Sequence, residues 1–90
     1  MRLMFEPTAA ETALEIEAER QHLRKAEVDI DRGLGRLRSQ RDLLDALHAS
    51  GGNTIEAERL ARVLEATLGE WQRHRALIEQ RLAYLRARQG

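Results

Sequence analysis

SGGNTIE, residues 50–56, interrupts an otherwise continuous helical pattern near the middle of the chain. It holds two adjacent glycines, Gly51 and Gly52, either of which can take the left-handed backbone that ends a helix. Asn53 follows, a residue that caps a helix N-terminus, with Glu56 at the third position beyond it. A stop and a restart this close together predict two helices joined by a tight turn, not one long rod.

Toward the N-terminus, Thr8 and Glu11 have capping-box spacing with Pro7 just outside. From there to Ala49 only Gly33 and Gly35 interrupt a helical pattern. The predicted organisation is an N-terminal apolar extension over 1–7 and a helical hairpin over 8–90. Within it, a helix spans 8–49, a turn 50–53 and a second helix 54–88. At 1.5 Å per residue the arms are roughly 50–60 Å long. His48, in the last turn of the first helix, suits the negative end of the helix dipole when protonated.

Composition agrees with an all-α chain. Hydrophobic residues make up 42% of the 90, but 13 of them are alanine, 14 are leucine and only three are aromatic. Two valines and four isoleucines are too few for a strand-rich fold. The apolar residues recur every seven positions: Ile16, Leu23, Ile30, Leu37 and Leu44, then Ala57, Leu64, Trp71, Ile78 and Leu85. Sustained heptads predict an antiparallel coiled-coil seam.

Folding the chain at 50–53 with Leu47 opposite Ala57 fixes the other layers by counting. Gln40 then meets Leu64, Gly33 meets Trp71, Ala26 meets Ile78 and Glu19 meets Leu85. Leu44, Leu37 and Ile30 pair with Leu60, Thr67 and His74. In this register Gly33 is a notch for the Trp71 indole, because helices pack only 8–10 Å apart. Gly35 falls on a solvent face.

Charge supports the same topology. Residues 1–31 carry four basic and eight acidic groups, and 71–90 carry five and one. Residues 32–52 carry four basic and two acidic groups, and 53–70 the reverse. A hairpin lays each block beside its opposite sign.

A single hairpin leaves apolar surface over. Val63, Leu77 and Tyr84 form a second stripe on the second helix, and Leu14, Val28, Leu34 and Leu43 are extras on the first. Leu3, Met4 and Phe5 precede the cap. A wide apolar face wants more than one neighbour. We therefore assign Leu3, Met4, Phe5, Val63, Leu77 and Tyr84 to partner binding. The expected partner is a second copy, completing a four-helix bundle as a homodimer, or a helix of another protein.

Catalysis has little to build on. The chain has no cysteine, and its two serines, Ser39 and Ser50, lie mid-helix and in the turn. Glu19 and His22 have the E-x-x-H spacing of di-metal bundles, but Leu82 and Leu85 occupy the level where further carboxylates are needed. Glu70 and His74 are spaced as one helix-surface pair. The expectation is a non-enzymatic protein with no cofactor, no metal and no small-molecule substrate. No apolar run approaches the roughly 18 residues of a membrane span, and a cytoplasmic setting is expected. The alternative function is nucleic-acid binding by the arginine clusters at 32–41 and 73–88. Against it stand a formal charge of zero and the absence of interleaved aromatics for base stacking.

Overall fold

The computed structural model describes residues 6–89. It contains two helices, α1 over Ala9–Ser50 and α2 over Ile55–Gln89. They lie antiparallel, so that Arg88 near the end of α2 reaches Thr12 near the start of α1. No strand occurs among the described residues. The proposed extension over 1–7 falls mostly outside them.

Local chemistry sets the helix ends. The Glu11 N–H donates to Thr8 Oγ1 at 3.1 Å, and the Thr8 N–H donates back to the Glu11 carboxylate at 3.3 Å. The expected capping box is therefore present. The helix then runs unbroken through Gly33 and Gly35. It stops at Gly51, whose φ of 71° is left-handed. The N–H groups of Gly51 and Gly52 donate to the carbonyls of His48 and Leu47, which would otherwise end the helix unpaired.

Asn53 Oδ1 accepts from the Ile55 N–H at 3.0 Å, holding the entry to α2. Glu56 does not serve that start, as the spacing suggested; its carboxylate lies 3.8 Å from Arg59. Glu58 instead accepts from the Thr54 side-chain hydroxyl at 3.1 Å.

The seam alternates three- and four-residue steps. Thr12, Ala26, Ile30 and Leu37 are buried on α1; Ala57, Ala61, Leu68, Ile78, Leu82 and Leu85 are buried on α2. One cluster gathers Ala26, Ile78 and Leu82 with Ile16 and Leu23 packed against it. A second gathers Ile30, Leu37 and Leu68 with Leu64 and Trp71.

The register differs from the counted one. Leu60, Thr67 and His74, assigned to alternate layers, are all exposed. The row that enters the seam is Ala61, Leu68 and Leu82, one residue further on. Gly33 faces Leu68 and not Trp71: a Cβ built on Gly33 would meet Leu68 Cδ1 at 3.4 Å. Gln40 sends its amide to the Ala57 carbonyl, 3.1 Å away, and not to the Leu64 level. The physical reason is burial. The observed row puts two leucines inside, each contributing about 1.5–3 kcal/mol, where the counted row would have desolvated a threonine and an imidazole.

The result is a rod 72 × 17 × 15 Å with a radius of gyration of 20.4 Å. A compact domain of this length would have a radius near 12 Å. Two helices side by side bury one stripe each, and two broad flanks remain.

Candidate protein-binding face around Trp71

The two flanks of the seam differ in chemistry. On one of them α1 presents His22, Asp29 and Arg36, seven residues apart, and α2 presents Thr67 and His74. Between these rows, two open grooves lie on either side of Trp71. One, of about 360 Å³, is lined by Glu19, His22, Lys25, Ala26, Trp71, His74 and Ile78. The other, of about 170 Å³, is lined by Gly33, Leu64 and Leu68 beneath Asp29, Arg32, Arg36, Thr67 and Trp71. Ala26 and Gly33, both small, line these grooves from the α1 side.

Trp71 is half-buried, and polar neighbours frame it. The His74 ring stands edge-on to it, with centroids 5.8 Å apart and planes at 71°. Lys25 Nζ lies 5.9 Å from the indole centroid, while also pairing with Asp29 at 2.9 Å. An amphipathic aromatic with one face wet and one face packed is a common anchor at protein interfaces.

Heptad steps extend this flank toward the turn on both helices. Leu43 lies seven residues beyond Arg36, and Leu60 seven before Thr67; both are exposed. Glu70, on the outer lip of the groove, is continued by Val63, Leu77 and Tyr84 at the same spacing. These three are 54%, 62% and 58% exposed, so the sequence-assigned partner residues of α2 do form one open stripe. It borders the Trp71 grooves. Arg88 covers the Tyr84 ring from 5.6 Å and also bonds Thr12 and Glu15, at 3.2 and 2.7 Å. Leu3, Met4 and Phe5 lie outside the described residues.

The opposite flank is laced with charge. Arg41 pairs with Glu65 at 2.9 Å and His48 lies 3.7 Å from Glu58. Arg20, Arg24, Glu27, Glu79 and Arg86 surround its groove over Leu23 and Leu82. Leu34 is the exposed large apolar residue continuing its α1 row.

Sequence reasoning missed the part played by Leu60 and Trp71, because the counted register placed both inside the seam. Leu43 appeared only as an extra. The spacing between Leu43 and Leu60 and the groove-lining residues is the signal that joins them, and it needs the correct register to be seen.

The chemical alternatives gain no geometry. His22 Nδ1 lies 3.6 Å from the Glu19 carboxylate, which Arg81 also approaches at 4.0 Å. Glu70 pairs with Arg73 at 2.6 Å and not with His74, correcting the expected pair. No group of three or more metal-binding side chains occurs among the described residues. No helix among them is long and apolar enough to cross a membrane. Several arginines of the two clusters are engaged by carboxylates: Arg41 by Glu65, Arg73 by Glu70, Arg75 by Glu79 and Arg88 by Glu15.

Comparison with known protein-family models, curated proteins and solved structures finds no match for this chain. The face itself is the ground for a functional reading.

Proposed function

We propose that the chain is a non-enzymatic protein-binding hairpin that receives a helical partner on its Trp71 face. The observation that carries this is the row of exposed apolar residues along one flank and its outer lip: Leu43, Leu60, Val63, Leu77 and Tyr84. From the Leu60 level to Tyr84 these positions cover about 36 Å of α2, broken at Glu70. An apolar band of that length marks an interaction surface in a way that scattered single residues do not. Its periodicity suits a helix laid in a groove.

The surface area points the same way. The chain exposes 6920 Å², whereas a compact monomer of its mass exposes about 5,400 Å². The excess, about 1,500 Å², is larger than the roughly 800 Å² that a standard protein–protein interface takes from each partner. The carboxylate partners of Arg41, Arg73, Arg75 and Arg88 favour this reading over nucleic-acid binding, since phosphates would have to displace them.

Photo-crosslinking in the native host tests it. A photoreactive residue at position 77 is expected to yield protein adducts, and one at position 34, on the charged flank, few. Equal labelling from both positions, or adducts to nucleic acid, would overturn the proposal.

A further inference from the structure

We infer that the occupant of the Trp71 face is a second copy of this chain, laid flank to flank with its turn beside the first copy's turn. This closes a four-helix bundle. The inference rests on the reading that the face binds protein, and it names the partner.

Charge is the first argument. Within α1, residues 9–31 carry seven acidic and three basic groups, and 32–50 carry two and four. Within α2, residues 55–70 carry four acidic and two basic groups, and 71–89 carry one and five. A two-fold axis parallel to the rods sets each α1 over the partner's α2 at the same level. Acidic blocks then lie on basic blocks at both ends of the assembly. Within one hairpin the same levels already make the Glu15–Arg88 and Glu19–Arg81 pairs. The dimer offers those same partners a second time, across its new groove.

The apolar positions agree. Arg41 reaches Glu65 and Gln40 reaches Ala57, which puts Leu43 and Leu60 at one level near the turn. The parallel axis lays Leu43 of each copy over Leu60 of the other. An axis across the rods would instead set the turn end of one copy on the termini end of the other. Leu43 would then face the level of Glu15, and the blocks would still meet in opposite sign but more weakly, −4 on +2 and +4 on −2 where the parallel axis sets −4 on +4. A symmetric contact of this kind is isologous, using one patch on both copies.

Area completes the case. A standard interface takes about 800 Å² from each partner, and a flank of a rod 72 Å long and 17 Å wide can supply it. The chain's formal charge of zero leaves no net repulsion between copies.

The test uses the purified full chain. Sedimentation equilibrium is expected to give twice the chain mass of 10.3 kDa. The double variant Leu43→Asp, Leu60→Asp should sediment as a helical monomer, while Leu34→Asp remains paired. Because the chain has no cysteine, the orientation can be read without disturbing the fold. Leu43→Cys mixed with Leu60→Cys should cross-link on oxidation, well above Leu60→Cys mixed with Tyr84→Cys. A wild-type monomer at every concentration, pairing that survives the double variant in its folded form, or dominance of the 60–84 link would each overturn the inference. A wild-type monomer together with position-77 adducts to other proteins would sink self-pairing alone and leave the protein-binding role standing.

Discussion

A Cβ added to Gly33 would lie 3.4 Å from Leu68 Cδ1, an ordinary van der Waals separation. Glycine is therefore not required there by its neighbour. At Gly35 a Cβ would meet nothing within 4 Å. Both sit inside an unbroken helix, where glycine costs about 0.5–1 kcal/mol relative to alanine. Gly33→Ala and Gly35→Ala should each stabilise the hairpin by about that much, raising Tm by a few degrees in scans at fixed protein concentration. Loss of stability in Gly33→Ala would show that the helices approach more closely than the Leu68 contact indicates.

The same substitution at Gly51 should have the opposite sign. Its φ of 71° is left-handed, and nothing crowds the position. A Cβ there costs about 1–2 kcal/mol from backbone sterics alone. Gly51→Ala should lower Tm, and Gly51→Asn should lower it less, because asparagine tolerates this conformation. Thermal unfolding followed by circular dichroism reads both.

Arg88 ties the open end of the rod. It bonds the hydroxyl of Thr12, which is buried to 3% exposure, and the carboxylate of Glu15. Arg88→Ala should cost about 1 kcal/mol, the size of a hydrogen bond with a partly exposed ion pair. The loss should be local. Amide exchange is expected to quicken in the first turns of α1 and the last turns of α2, with the turn-proximal half unaffected.

Leu85 and Leu77 separate folding from binding. Leu85 is fully buried, so Leu85→Ala should destabilise the hairpin by about 2–5 kcal/mol. Leu77 is 62% exposed, and Leu77→Ala should change the stability of an isolated hairpin by no more than about 0.5 kcal/mol. Chemical denaturation of each variant in the monomeric Leu43→Asp, Leu60→Asp background, alongside the crosslinking yield from a reporter at position 84 in the ordinary chain, checks the pair. Leu77→Ala should reduce the yield without altering the unfolding of the single hairpin.

The two helices, the turn and the caps of α1 were legible because each rests on local chemistry: Thr8 with Glu11 and Gly51 in a left-handed turn. At α2 the Asn53 contact with Ile55 was legible and the part assigned to Glu56 was not. The register was not, because it is a tertiary choice between two rows of α2 that differ by one residue. Leu60, Thr67 and His74 compete with Ala61, Leu68, Arg75 and Leu82, and counting from Leu47 and Ala57 settled on the first. Comparing the rows by what each would bury favours the second. Arg75, partly buried in that row, extends its guanidinium to Glu79, 3.6 Å away, as a long side chain can. The one-residue change moved Leu60 out to the surface while Trp71 kept its seam row, half-buried against the Ile30, Leu37 and Leu68 cluster, so the candidate face emerged only with the correct layers.

Trp71 is the chain's single tryptophan, which makes the face directly observable. Its emission and its quenching by acrylamide should be followed from nanomolar to millimolar concentrations, with sedimentation in parallel. Pairing on the Trp71 face should give a blue shift and reduced quenching, both absent in the Leu43→Asp, Leu60→Asp variant. Emission and quenching that stay constant while the chain pairs, or constant values with no pairing at all, would contradict it.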